Sequence, residues 1–358
     1  MPKERLDYRT ILCVLLSAAA GFLGSYFHLP LAWVLGPLLV TAAFGMANIP
    51  VFAPLAGRRL GQLIIGASVG LNLTASVLVN LTGWLPLLFV TALIGILFAA
   101  AISVAFARVA RIDQATAFFA MMPGGMSEMA NIGATEGARP EPIALSQALR
   151  VALVVCLLPP LLIFFGDSVD LSAWAAKPQV SWGSLPFILV AGGMGTIVFR
   201  WIGFQNPWMV GSLIGVAALT AAGLVAGRLP LSLVNAGQFF LGIAIGARFK
   251  GDILRHLARL SVISMVFTLF LTLLMAAYSL MVTAFADISF SDMMLSTAPG
   301  GFAEMVITAQ VLHLHVALVT AFHIIRSVLL NGLALHIWAL LNRIDFFTRV
   351  NAILLRIF

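Results

Sequence analysis

The chain has 358 residues, of which 61% are hydrophobic and 9% charged, and its mean hydropathy is +1.08. Soluble domains carry about 25% charged residues, so this composition cannot clothe a water-facing surface. It points to a polytopic membrane protein of roughly ten spans, at ~20 apolar residues each. The net charge of +7 would raise nucleic-acid binding in a soluble protein. Here the basic residues stand at the ends of apolar runs, where they orient a membrane protein, and no nucleic-acid partner is expected.

Lys3, Arg5 and Arg9 precede an apolar run that begins at Ile11 and continues to Phe27. The stretch before Ala18-Ala19-Ala20 is shorter than the ~7–15 residues of a secretory signal core. The run therefore reads as a first span with a basic cytoplasmic end. Further spans follow at about 31–47, 58–80, 83–108 and 142–166, and then at about 183–200, 207–226, 232–250, 260–285 and 316–341. The cysteines, Cys13 and Cys156, lie inside apolar runs and form neither a disulfide framework nor a CxxC motif.

The chain repeats itself at an offset of 176. Gly61-Gln62, Gly66 and Gly70 return as Gly237-Gln238, Gly242 and Gly246. Pro123-Gly124-Gly125 and Glu128 return as Pro299-Gly300-Gly301 and Glu304, and Arg150 returns as Arg326. A constant offset across Pro, Glu and Arg does not arise by chance, so the chain is a duplication. The expected organisation is a first membrane repeat at 1–166, an extracytoplasmic linker at 167–182, a second repeat at 183–342 and a cytoplasmic tail at 343–358.

Between the fourth and fifth span of each half lies a segment, 113–136 or 289–312, with Pro-Gly-Gly at its middle. Its apolar arms are each about half a bilayer long at ~1.5 Å per residue. The segment is either a broken crossing helix or a re-entrant hairpin, and charge separates the two. A re-entrant segment gives each half an odd number of crossings and inverts the second half. The cytoplasm then receives 16 of the 20 Lys and Arg, with Lys177 and Arg228 outside and Arg150 and Arg326 in the membrane. A crossing segment would put the cluster Arg248, Lys250, Arg255 and Arg259 outside. The excess of cytoplasmic charge favours inversion. The fold class expected is all-α, with two inverted-topology repeats of about five transmembrane helices and one Pro-Gly-Gly hairpin each.

That plan is shared by many secondary transporters, whose sites lie on interrupted helices at the repeat interface. Charge inside the membrane costs about 2.5–3.5 kcal/mol per residue on insertion scales. Four such residues fall deep in this reading: Glu128, Glu304, Arg150 and Arg326. They are either Glu128–Arg150 and Glu304–Arg326 pairs that pin each hairpin to the next helix, or groups that face solute or coupling ion. A helix restarts after Gly125 and after Gly301, and its positive end suits an anion. Gln62 and Gln238 can hydrogen-bond a solute or a neighbouring helix, while the GxxxG glycines suit close helix packing. His323 replaces Gln147 one turn before Arg326 and is a candidate proton shuttle. The six histidines form no evident metal cluster, and neither a Walker loop, a dinucleotide fingerprint nor a hydrolase triad is present.

The doubled Pro-Gly-Gly-x-x-Glu-Met segments at Pro123 and Pro299, the following Arg and the preceding Gly-Gln helix resemble the AbrB-type duplicated membrane proteins of bacteria. That family is labelled as ammonia monooxygenases or as AbrB transcriptional regulators. The resemblance covers nearly the whole chain and implies a multi-pass protein of the bacterial inner membrane. The residues themselves offer neither a metal site nor a soluble DNA-binding domain.

The function expected is therefore not enzymatic. It is secondary transport of a small solute, with an organic anion among the candidates, coupled to H⁺ or Na⁺. The expected site residues are Pro123, Gly124, Gly125, Glu128, Arg150, Pro299, Gly300, Gly301, Glu304, Arg326, Gln62, Gln238 and His323, with no metal or cofactor. A channel or passive pore is the alternative, followed by a membrane oxidoreductase subunit. The partners are the lipid bilayer, the solute and the coupling ion, and self-association stays open.

Overall fold

The computed structural model describes residues 8–49, 51, 53–165, 178–204 and 206–357. Lys3, Arg5 and linker residues 167–177 lie outside these. Among the described residues the regular structure is α-helical, apart from one isolated bridge between Gln179 and Arg228. The first repeat forms α1 (Tyr8–Tyr26), α2 (Ala32–Met46), α3 (Leu55–Gly70), α4 (Ala75–Ala110), α5 (Gln114–Met121), α6 (Met126–Thr135) and α7 (Pro140–Phe165). The second forms α8 (Leu185–Trp201), α9 (Pro207–Ala221), α10 (Leu231–Gly246), α11 (Gly251–His256), α12 (Ala258–Thr283), α13 (Phe290–Thr297), α14 (Phe302–Val311) and α15 (Val316–Arg343). A final helix, α16 (Phe346–Ile357), follows.

Among the described residues, α1, α4, α7, α12 and α15 are long and apolar enough to cross a bilayer. The sequence predicts ten comparable spans, but α2, α3, α8, α9 and α10 have only 15–17 residues. At ~1.5 Å per residue they reach roughly 23–26 Å, less than a ~30 Å hydrocarbon core. Left-handed residues close several of them early: Leu31 (φ 54°) before α2, Asn48 (φ 57°) after it, and Asn206 (φ 54°) before α9. The span expected at 58–80 is also cut. Helix α3 ends at Gly70, and α4 starts at Ala75 and runs 36 residues through Pro86. Thr74 caps the restart by accepting from the Val77 amide at 3.4 Å. Hydropathy misses this turn because its residues Leu71 and Leu73 are themselves buried. The expected cytoplasmic tail is largely helix α16, whose Phe347 stacks on Trp338 and Phe118.

The chain forms two compact units, and neither is a sequence half. One unit comprises Met1–Gly83, Pro159–Leu254 and Val306–Ala317. Within it α3 packs on α9 and α10 packs on α2, so each repeat clasps the other. A Cβ added at Gly70 would fall 2.6 Å from Leu213 O and 2.9 Å from Val216 Cβ. One added at Gly246 would fall 2.5 Å from Leu38 O and 2.8 Å from Thr41 Cβ. Only glycine lets these backbones approach, as the GxxxG spacing anticipates. In this unit Asn48 Nδ2 donates to Asp252 Oδ1 at 2.8 Å.

The other unit comprises Trp84–Leu158, Arg255–Met305 and Leu318–Phe358. Hydroxyl pairs join α4 to α12 (Thr91–Tyr278, 2.9 Å) and α7 to α12 (Ser146–Ser264, 2.8 Å). At its periphery Arg259 Nη2 donates to Val109 O at 3.1 Å, and Trp338 Nε1 donates to Glu136 Oε2 at 3.1 Å. The two ends of the first Pro-Gly-Gly segment meet within this unit. Arg139 at its exit lies 3.6 Å from Asp113 at its entry, and the Arg139 amide donates to Thr116 Oγ1 at 2.8 Å. Between those ends Gly133 of α6 packs on the Phe119 ring of α5.

Candidate functional site

Each Pro-Gly-Gly break is dictated locally. The residue before a proline is pushed out of the helical region, and Met122 (φ −56°, ψ 130°) and Ala298 (φ −51°, ψ 135°) both adopt extended geometry. Helices α5 and α13 therefore stop, and their last carbonyls lose their intrahelical donors. In a membrane no water is at hand to replace those donors.

Buried arginines fill the gap. Arg150 Nη1 on α7 donates to Met122 O at 2.7 Å and Nη2 to Gly124 O at 3.1 Å. Arg326 on α15 repeats the arrangement, Nη1 to Ala298 O at 2.6 Å and Nη2 to Gly300 O at 2.9 Å. A positive group at the C-terminal end of a helix also meets the favourable end of its dipole. The residue one turn earlier assists. Gln147 Nε2 donates to Phe119 O at 3.0 Å and Met122 O at 2.9 Å, while its Oε1 accepts from Arg150. His323 Nε2 lies 3.1 Å from Leu295 O, the position matching Phe119. The candidate proton shuttle is thus placed as a helix cap in a fully buried pocket.

The glutamates occupy the other side of each break. Glu128 is the third residue of α6, and its carboxylate folds back over Gly125, where any Cβ would collide with it. Glu304 folds over Gly301 in the same way. A carboxylate in the first helical turn is stabilised there by about 0.3–1 kcal/mol. This differs from the pairing that opposite charges suggest: among the described residues no ion pair joins Glu128 to Arg150. The arginine is held by carbonyls, and the carboxylate lies at its own helix end.

Pro123 and Pro299 wall one cavity of about 20 Å³, together with Arg326, Thr91, Gly95, Ser296 and Thr297. All of these residues belong to the second unit described above. The structure thus brings together Pro123, Pro299 and Arg326. Gln62 and Gln238, buried in α3 and α10, belong to the other unit. Three residues went unrecognised in the sequence. Ser296 and Thr297 line the cavity where the first repeat has Ala120 and Met121, a difference legible once the repeats are superposed. Asp292, which is 2% exposed, is a further buried charge beside Arg150, Glu304 and Arg326, and the Ser289 hydroxyl donates to its Oδ2 at 2.7 Å. Its spacing from Ser289 is that of a capping box.

Residues 33–342 match the family profile described as "Transition state regulatory protein AbrB". "Uncharacterized protein YhjN" of Bacillus subtilis (strain 168) is 30% identical over 369 residues, covering 96% of this chain and 96% of that protein. "Putative regulator AbrB" of Escherichia coli (strain K12) is 29% identical over 335 residues, covering 91% and 94%.

Proposed function

The chain belongs to the AbrB family, and we propose that it is a secondary transporter of a small solute, coupled to H⁺ or Na⁺ and working at the two Pro-Gly-Gly turns. The observation that carries the proposal is the cavity walled by both Pro123 and Pro299. Broken helices at membrane depth are tolerated only where they are buried in protein or line a cavity. Transporters built from inverted repeats use such breaks as binding sites. A regulator, the word attached to the family profile, would not need two arginines buried within the membrane to stabilise two interrupted helices.

The proposed topology is inverted, with both termini in the cytoplasm of a bacterial inner membrane. Three contacts support it: Asn48–Asp252, Val109–Arg259 and Glu136–Trp338. Each joins segments that share a face when the Pro-Gly-Gly segments are re-entrant. Each would join opposite faces if those segments crossed. The joined ends of the first segment, Asp113 and Arg139, favour the same arrangement. Coupling falls to the carboxylates Glu128 and Glu304 in this reading, since one ring nitrogen of His323 is taken up at the Leu295 carbonyl.

The test starts with a thermal-shift screen of small organic anions on the purified protein, since a ligand of the folded state raises apparent stability. Uptake of the hit is then followed in proteoliposomes under an imposed pH or Na⁺ gradient. Accumulation against the solute gradient, abolished when the ion gradient is collapsed, is the expected result. Equilibration that ignores both ion gradients would instead establish a passive pore.

A further inference from the structure

The repeats are not equivalent at their helix breaks, and the difference has a chemical sense. In the first repeat the arm ends in Ala120-Met121, and the Met121 side chain is fully buried. In the second it ends in Ser296-Thr297, and a cavity of about 20 Å³ stands beside it. A space of ~10–15 Å³ already holds a water-sized occupant, so this one accepts a single small particle. Arg326 forms part of the wall and is 7% exposed. Its terminal nitrogens are committed to Ala298 O and Gly300 O, but its Nε finds no acceptor among the described residues. The Nε–H of a buried guanidinium is a charged donor, and an anion satisfies it best.

We propose that this cavity is a binding site for a small monovalent anion of halide size, held by the Arg326 guanidinium, with Thr297 and Thr91 in its wall. The proposal deepens the transporter reading and rests on its placement of the site at the Pro-Gly-Gly turns. Charge excludes the opposite occupant. Arg326 borders the space, and no other cation lines it among the described residues. The nearby acidic groups point elsewhere: Glu304 lies over Gly301, and Asp292 engages Ser289 a turn away from Ser296. A sodium ion would meet the Arg326 charge with no carboxylate among the described wall residues, whereas a halide neutralises that charge. Hydroxyl groups suit either ion, so it is the arginine that decides.

The test is halide-dependent stability of the full chain in detergent. Chloride and bromide are titrated against sulfate at equal ionic strength while the unfolding temperature is followed. The expected result is a saturable rise with both halides and none with sulfate. Two variants localise it. Thr297→Met installs the residue that the first repeat carries at this position. Gly95→Ala adds a methyl in the wall 3.7 Å from Met275 Cε, an ordinary contact, so it keeps the fold should Thr297→Met lose it. Each should weaken the apparent halide affinity by roughly tenfold or more, read from the concentration that gives half the rise. An equal rise with sulfate, or halide affinity unchanged in a folded variant, overturns the proposal. Solute uptake without halide stabilisation removes this inference alone. Halide stabilisation in a protein that carries no solute removes the transporter reading and leaves this one standing.

Discussion

Replacing Arg326 by Lys and by Met separates a carbonyl cap from an ion pair, because the two arrangements order the variants oppositely. Arg326 makes two charge-assisted bonds, to Ala298 O and Gly300 O. Each such bond contributes about 1.5–3 kcal/mol, or roughly 3–6 kcal/mol together. Holding the charge within the membrane costs about 2.5–3.5 kcal/mol. Met forfeits both bonds but removes that cost, so its net loss is about 0–3 kcal/mol. Lys keeps the cost, yet its single ammonium cannot span two carbonyls as a planar fork does. It loses one bond, about 1.5–3 kcal/mol, with nothing regained. The expectation is therefore that Arg326→Lys is at least as damaging as Arg326→Met. A carboxylate partner would reverse the order. Lys would then sit near wild type, and Met would cost about 3–5 kcal/mol by leaving a buried acid uncompensated. The assay is equilibrium unfolding of both variants in mixed detergent micelles. Arg326→Lys at wild-type stability beside a severely destabilised Arg326→Met would refute the cap.

The close helix crossings predict a contrast between glycines. Gly332→Ala, with no atom within 4 Å of the added Cβ, should gain about 1 kcal/mol from helix propensity. Gly70→Ala drives a methyl into the Leu213 carbonyl, so the crowding of about 1–3 kcal/mol offsets or exceeds that gain. Thermal unfolding that ranks Gly70→Ala above Gly332→Ala would contradict the packing described. His323→Gln installs the residue that performs the same capping in the first repeat. It should stay within about 1.5 kcal/mol of wild type, as volume-conserving swaps do, and should leave the pH profile of uptake in proteoliposomes unchanged; a flattened profile returns His323 to the proton path. His313, in the loop between α14 and α15, is held below the usual histidine value by burial and then by Arg228. Its unfolded state therefore binds protons first, so stability is complete above the unfolded value of about 6.5 and falls as the pH drops below it. The slope in that window should shrink in His313→Gln.

The sequence marked the candidate site through discrete signals. A 176-residue offset across Pro, Gly, Glu and Arg marks both breaks, and proline next to two glycines has few structural uses. It left two roles open for the four deep charges, and the first of them, the Glu128–Arg150 pair, is not formed among the described residues. Opposite charges in a string invite pairing, while the carbonyls released at Met122 and Ala298 carry no letter of their own. The α3–α4 turn hid behind Leu71 and Leu73, since hydropathy responds to burial and not to backbone direction. Helix α16 was legible in principle: Phe346, Phe347, Val350 and Leu354 follow a helical period opposite Arg349. The division into two units could not be read from the chain, because α3 packs on α9, and α10 on α2, across the repeat boundary.

Access to the cavity tests the transporter account most directly, and it needs no knowledge of the solute. Ser296→Cys is introduced into a protein whose Cys13 and Cys156 have been changed to Ser. Ser296 lines the cavity, and the exchange of oxygen for sulfur is small. Labelling by a membrane-impermeant thiol reagent is measured in right-side-out and in inside-out vesicles. An alternating-access transporter exposes the cysteine to each side in turn. Slow labelling is therefore expected from both faces, with each rate shifted in opposite directions by the imposed ion gradient. Fast labelling from both faces regardless of gradient, or none from either face, would contradict the account.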